Sequence, residues 1–423
     1  MRILVVGNGA REDALSWRLA SSPSCEAVFA APGNAGTASR GANWDIPATN
    51  AKALSDRCKR EAIDLVVLGP ETAIAAGVGD RLRASGIATF GPNRSAGRLE
   101  SSKVFAKRFM ERHNIATARA SVVHSLSAAE KVLAEWTGPC VIKADGLASG
   151  KGVVVAETSA EARETLAAWY GASRIPGGGS DVLLEEKLEG RELSVFAIGD
   201  GETLEIFGSA CDYKRAGDND TGPNTGGMGA YSPPAGFPVN FEEQVRTRMI
   251  APALRGLLAE GERYIGVLYC GLMWTRSGPY VIEFNARFGD PETQVLMPRV
   301  DGDFAALLKS AADGALDLAA ASLSDRACVG VVLATAEYPA SSTPVANLPA
   351  DVPLDGAQVF WGASSRRNGA TDSPGGRVMT VTALGNDLAT ARSRAYEAIA
   401  RMPLGAAGRV LKFRHDIAML DTP

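Results

Sequence analysis

Through the first hundred residues, short apolar runs alternate with polar, helix-spaced segments, and most runs end in glycine or proline. "RILVVG" leads to a helix near 11–21, "EAVFAAPG" runs into a turn, "DLVVLGPE" leads to a helix around 77–85, and "ATFGPN" closes the set. Apolar runs of this length without alternation suit parallel strands covered on both faces. Residues 1–102 are therefore predicted to form an open parallel-sheet α/β domain. "SSKVFAKRFMERHNI" reads as the next helix, with Ser101 or Ser102 as its N-cap. "ASVVHS", "PCVIKAD", "KGVVVAET" and "DVLLEEKLEG" then read as strands around one helix near 158–169, a small α+β unit over 121–187 whose "IPGGGS" is a loop.

A further strand set follows: "ELSVFAIGDG", "LEIFGSACDYKR", "VLYCGLMWT" and "GPYVIEFNARF". The glycine-, proline- and asparagine-rich segment 211–234 interrupts it. From about 326 the pattern predicts a separate mixed α+β domain with a helix near 387–402. The expected division is 1–102, 103–325 and 326–423.

The bulk numbers narrow the chemistry. A chain of 423 residues with 46% hydrophobic and 22% charged residues is ordinary for a soluble globular protein of two to four domains. The net charge of −4 argues against a nucleic-acid or anionic-membrane surface. Six scattered cysteines without a C-x-x-C pair predict free thiols in a reducing compartment, and three isolated histidines speak against His-based metal ligation or a serine-hydrolase triad. The first strand begins at Arg2 with no leader, and no apolar run reaches ~18 residues; the expectation is a cytoplasmic protein.

Three loops carry candidate chemistry. "GNGARED" places Gly7 and Gly9 as in a dinucleotide fingerprint, but Glu12 stands where the third glycine belongs, and no acid ends the second strand. A strand–turn–helix that fails for NAD can still hold a lone phosphate on its N–H groups, with Arg11 as a bidentate donor. "KADGLASGKGVVV" sets Lys143 at a strand end and Lys151 inside a glycine-rich turn; its spacing departs from a Walker A loop, yet small residues plus lysine suit a phosphate lid. In "VIEFNARFGDPE", Glu283 and Asn285 lie two apart on a strand and so face the same way, a hard-oxygen pair for Mg²⁺. Arg287 continues that face, placed to clamp a carboxylate or phosphoryl group.

Together with "SSKVFAKRFM", "LLEEKLEGRELSV" and "KRAGDNDTGPNTGGMGAYSP", these stretches resemble the ATP-grasp ligases, in particular the glycinamide ribonucleotide synthetase family, from residue 1 to about 310 and weakly beyond. The resemblance implies an N-terminal Rossmann-like domain, ATP-grasp lobes and a C-terminal α+β domain. It implies that ATP and Mg²⁺ or Mn²⁺ serve to join glycine to phosphoribosylamine through glycyl phosphate in purine biosynthesis, in a monomer binding neither nucleic acid nor membrane. By the same resemblance, Lys103 and Lys143 contact nucleotide phosphates under a lid running from Gly146 through Ser149, Gly150 and Lys151 to Gly152. Glu185, Glu186 and Leu188 lie along the adenine, Glu192 binds the ribose, and Glu283 and Asn285 hold the metal. Asp212, Lys214, the Thr225, Gly226, Gly227 and Met228 turn, and Arg287 surround glycine and the acyl phosphate. Gly7, Gly9, Arg11, Glu12 and Glu71 face the amine.

Departures from the family's usual spelling are Ala10 and Asp13 in the opening turn, Tyr213 before Lys214, and "ATAEYPASSTP" near 333–345. Asp13 is expected to weaken anion binding by adding negative charge near a phosphate site. A paralogous ligase with another amine or amino acid, or a non-catalytic nucleotide-binding protein, are the competing readings.

Overall fold

The computed structural model describes residues 1–136, 138–147, 152–171, 175–349, 356–405, 408 and 410–419. The first domain is a five-stranded parallel sheet in the order Ala42–Asn43, Ala27–Pro32, Arg2–Gly7, Leu65–Leu68, Thr89–Phe90. Parallel neighbours need crossovers. One of these, the helix Ala51–Arg60, has an Asn50 cap that accepts from Ala53 N; it packs Leu54 and Cys58 under the sheet.

The small lobe is a four-stranded antiparallel sheet ordered Ala120–Val123, Val182–Glu186, Cys140–Ala144, Val153–Ala156. It carries two helices where the pattern predicted one. Besides Ser159–Gly171 there is Leu126–Glu135, capped by Ser125 and buried through Ala129 and Leu133. Its apolar stripe of Leu126, Ala129, Val132 and Leu133 keeps helical spacing, but over only ten residues that follow closely on the strand Ala120–Val123.

The C-terminal strands do not form a separate main sheet. A single nine-stranded antiparallel sheet runs from Gly278–Asn285 through Ile265–Thr275, Arg191–Asp200, Leu204–Asp212 and Gly229–Ser232 into Ala327–Thr335, Arg377–Gly385 and Ala357–Trp361, and its ninth strand, Leu411–Lys412, pairs beside the end of Ala327–Thr335. The short strand Gly229–Ser232 joins the two halves, pairing Asp212 with Ala230 on one side and Val331 with Gly229 on the other. Residues of the 211–234 segment thus sit mid-sheet, held by both halves.

The first helix, Ala10–Ala20, fastens the parallel domain to the far end of this sheet. Asp13 is fully buried; its Oδ2 accepts Trp361 N at 2.8 Å and its Oδ1 lies 3.7 Å from Arg40 Nε. Asn34 Nδ2 donates to Trp361 O at 2.8 Å and to Asn8 O and Gly9 O at 3.0 Å each. The Asp13 charge, expected to weaken anion binding, is engaged by a backbone N–H of the C-terminal strand and lies beside Arg40. Burial raises its pKa to about 6, with Arg40 and the Trp361 N–H pulling the other way. Because the folded state holds this proton more tightly than the unfolded chain, Asp13 costs stability as pH rises from about 4 to about 6. Asp13→Asn, which cannot ionise, is expected to gain on the wild type by up to about 3 kcal/mol between pH 4 and pH 7. Urea unfolding of both proteins at the two pH values measures this; a constant difference would contradict it.

Candidate active site

The strand Gly278–Asn285 sets the register of the site. Glu283 pairs with Gly271 on the neighbouring strand, where an added Cβ would come 3.2 Å from Glu283 Cγ, so the glycine leaves room for the carboxylate. Two residues on, Asn285 Nδ2 donates to Glu283 Oε1 at 3.3 Å, and Arg287 Nη2 donates to Asn285 Oδ1 at 3.3 Å. Burial pushes the Glu283 carboxyl up, but Lys214, Lys143, the Asn285 amide and Lys103 together hold it below its ordinary value. Arg287 is gripped from two directions, by Glu71 at 3.3 Å and Glu100 at 2.8 Å, while Glu100 also accepts Ala286 N at 2.8 Å. Burial pulls the Arg287 pKa down, and the two carboxylates more than reverse it.

At the other end of the cleft, Glu185 bridges two lysines. Lys143 lies 2.6 Å and Lys107 3.0 Å from its oxygens, and all three side chains are buried. Lys143 also donates to Ile282 O at 2.9 Å, and Lys107 to Thr117 Oγ1 at 2.7 Å and Ala118 O at 2.9 Å. Lys103 stands one turn before Lys107 on the helix Lys103–Arg112, whose Ser102 cap accepts Phe105 N. Its ammonium donates to Gly146 O at 3.0 Å, and burial lowers its pKa against the pull of Glu283. Glu186 turns aside to accept Arg119 N at 2.8 Å.

Lys214 sits between Glu192 at 2.8 Å and Asp212 at 2.9 Å. Burial lowers the Lys214 pKa, but the two carboxylates carry it well above its ordinary value; burial also pushes Asp212 up, against the pull of Lys214. The following turn is closed by its own threonine: Thr225 donates to Lys214 O through N at 2.7 Å and Oγ1 at 2.8 Å, and Gly227 N donates to Thr225 Oγ1 at 3.0 Å. Gly227, at φ +107°, has no space for a Cβ beside Pro291. Met228 is fully buried beneath. Arg377, from the C-terminal part, donates to Gly226 O at 2.7 Å and Asp290 O at 2.8 Å and pairs with Asp290 Oδ2 at 2.9 Å. Tyr338 OH accepts Gly226 N at 2.9 Å.

These groups surround a cavity of about 630 Å³. Lys103, Lys143, Gly152, Glu185, Glu186, Leu188 and Glu192 line one side of it; Asp212, Lys214, Thr225, Gly226, Glu283, Asn285, Arg287, Arg11 and Glu71 line the rest. Gly9 lies instead on a smaller cavity of about 180 Å³, with Ala10, Asp290 and Arg377. Gly7 backs onto Glu12, whose carboxylate folds back to accept Gly9 N and Arg11 Nε, both at 2.6 Å. Ser149, Gly150 and Lys151 lie outside the described residues. Tyr213, a departure from the expected spelling, faces the C-terminal tail, where its hydroxyl accepts Ala418 N at 3.0 Å.

Three family models cover nearly the whole chain: the N domain of phosphoribosylglycinamide synthetase over 1–100, its ATP-grasp (A) domain over 101–293, and its C domain over 328–420. The chain belongs to the phosphoribosylglycinamide synthetase family. The phosphoribosylamine–glycine ligase of Phenylobacterium zucineum (strain HLK1) is 45% identical over 95% of this chain and 96% of its own, and that of Escherichia coli O6:H1 44% identical over 94% of each. The crystal structure of phosphoribosylamine–glycine ligase from Thermotoga maritima superposes with a TM-score of 0.86 at 31% identity, over 99% of this chain and 100% of that one. The MgADP-bound biotin carboxylase domain of a Hydrogenobacter thermophilus carboxylase shares the fold alone, at TM-score 0.74 and 15% identity over 97% of this chain and 91% of that one. As a synthetase of this family, the protein is an ATP-grasp ligase that joins glycine to phosphoribosylamine in purine biosynthesis.

Four groups that shape the synthetase cleft escape sequence reasoning: Glu100, Lys107, Tyr338 and Arg377. Lys107 has a faint signal in its spacing of four from Lys103, which puts both on one helix face. Its burial makes it testable. Glu185→Gln removes the carboxylate that Lys107 and Lys143 share, and a broken buried pair costs about 3–5 kcal/mol. Urea unfolding should show a loss of that size, and wild-type stability would contradict the assignment.

Proposed function

We propose that ATP lies along the side of the larger cavity lined by Lys103, Lys143 and Glu185 to Glu192, with glycine and the amine toward Arg287. The observation that carries this reading is Lys103, beside Lys143 on the cavity wall: its ammonium meets the Gly146 carbonyl at 3.0 Å and has no carboxylate within ion-pair distance among the described residues. An ammonium without a counter-ion leaves positive charge for a phosphate group.

Lys103 and Lys143 hold the phosphates, the chain at Glu185, Glu186 and Leu188 receives the adenine, and Glu192 takes the ribose hydroxyls. Glu283 and Asn285 offer hard oxygens to a divalent cation, Mg²⁺ or Mn²⁺. The fit is good: Glu283 is held ionised, and Asn285 presents oxygen beside it by turning its amide over and giving up its bond from Arg287. When bound, the cation neutralises phosphate charge.

Glycine's carboxylate attacks the γ-phosphorus, forming glycyl phosphate and ADP; the amine of phosphoribosylamine then attacks the acyl carbon and phosphate leaves. In-line transfer of this kind asks for positioning and charge neutralisation more than for a protein nucleophile. Arg287 and Lys214 supply the charge, and Asp212 fixes Lys214. Gly9, Arg11 and Glu71 face the amine substrate, whose phosphate enters the smaller cavity beside Ala10 and Arg377. The chain acts as a cytoplasmic monomer: its large exposed apolar residues, such as Val239 and Leu258, are scattered, and all six cysteines are unpaired.

ADP release with glycine and freshly generated phosphoribosylamine tests the assignment. Glu283→Gln, nearly isosteric, is expected to lower turnover by at least about 100-fold at saturating magnesium while preserving the thermal transition. Retained turnover would overturn the metal assignment.

A further inference from the structure

The cations lining the larger cavity sort its carboxylates. Glu71 and Glu100 pair with Arg287, Glu185 with Lys107 and Lys143, Glu192 and Asp212 with Lys214, and Asp290 with Arg377. Among the described residues, three lining carboxylates have no ion pair: Glu186, Glu283 and Glu292. Glu186 is turned to the Arg119 backbone, and Glu283 stands beside Asn285. That leaves Glu292, at the start of the helix Glu292–Leu296 and only 2% exposed. Its Oε1 accepts from Tyr269 OH at 2.7 Å and Ser194 Oγ at 3.3 Å, and those two hydroxyl oxygens are themselves 2.8 Å apart. Both hydroxyls also line the cavity. Its Oε2 lies against Gly289, where a Cβ would collide with it, and has no hydrogen-bond partner among the described residues.

Neutral hydroxyls orient a carboxylate without cancelling its charge. A buried carboxylate in that state is costly unless a ligand brings the cation. On the reading given above, the ligands bring two cationic groups, the divalent ion and the ammonium of glycine, to two unpaired carboxylates. Glu283, with its neighbouring amide, suits the ion. We propose that Glu292, held by Tyr269 and Ser194, binds the ammonium group of glycine and selects an α-amino acid over other small carboxylic acids.

The arrangement has a second consequence. Glu292 is close enough to Lys214 and Arg287 to strengthen the hold of both on their protons. A zwitterion can therefore place its ammonium on Glu292 and its carboxylate toward the two cations. One carboxylate thus orients both ends of the acid.

Glu292→Gln keeps an oxygen for Tyr269 and Ser194 and removes only the charge. With the wild type turning over, the variant is expected to raise the KM for glycine about 30-fold and leave the KM for ATP within about twofold. Glycolate, which carries a hydroxyl in place of the ammonium, should inhibit both proteins alike, so that glycine's advantage over it shrinks by the same factor. Tyr269→Phe, which loosens the carboxylate without removing it, should raise the glycine KM about threefold and decides the matter if the first variant fails to fold. An unchanged glycine KM, or a shift in magnesium requirement in its place, would overturn the proposal. Absence of glycine-dependent ADP release in the wild type would overturn the underlying reading instead.

Discussion

Taking a charge out of water costs several kcal/mol unless a partner comes with it, and the cleft is assembled under that constraint. Arg287 comes from the end of a central-sheet strand, yet its two carboxylates come from Glu71 in the parallel domain and Glu100 in the segment that leaves it. Glu185 comes from the small lobe, Lys107 from the helix before it. Arg377 comes from the C-terminal strands and meets Asp290 just beyond Arg287. Each pair joins parts of the chain that are far apart in sequence. Charge neutrality in the cleft is thus also what locates the lobes around it.

The sheet makes such meetings possible. Because Gly229–Ser232 pairs on both sides, the turn that carries Thr225 and Gly226 is anchored between Lys214 and the C-terminal strands. Arg377 and Tyr338 then reach that turn from the C-terminal side. The last hundred residues accordingly complete the wall of the cavity. The first helix closes the circuit, since Asp13 and Asn34 hold Trp361 while the turn before them faces the smaller cavity.

Local periodicity made much of this legible. Unbroken apolar runs marked the parallel sheet, and a spacing of two put Glu283 and Asn285 on one strand face. Partners separated by long stretches were not legible. Glu100 sits in "GRLESSK" and Arg377 in "GGRVMTV", stretches with no pattern of their own; each acquires its role only when a distant residue arrives. Lys107 reads like any solvated lysine of an amphipathic helix until the small lobe covers it. That the C-terminal strands pair into the central sheet was not legible, because hydrophobic pattern reports that a strand is covered but not which strand lies beside it.

The opening turn joins these two lessons. By spelling, Glu12 is a fingerprint's missing third glycine; in space, it fills the room that two other glycines leave. A Cβ at Gly7 or at Gly69, on the neighbouring strand end, would collide with the Glu12 side chain. The absent side chains therefore admit a carboxylate, where in a dinucleotide site they would admit a pyrophosphate. That carboxylate caps Gly9 N and ties Arg11, which in turn donates to Phe288 O at 3.2 Å beside Arg287. One substitution thus removes the turn from dinucleotide chemistry and connects it to the strand end that carries Glu283, Asn285 and Arg287.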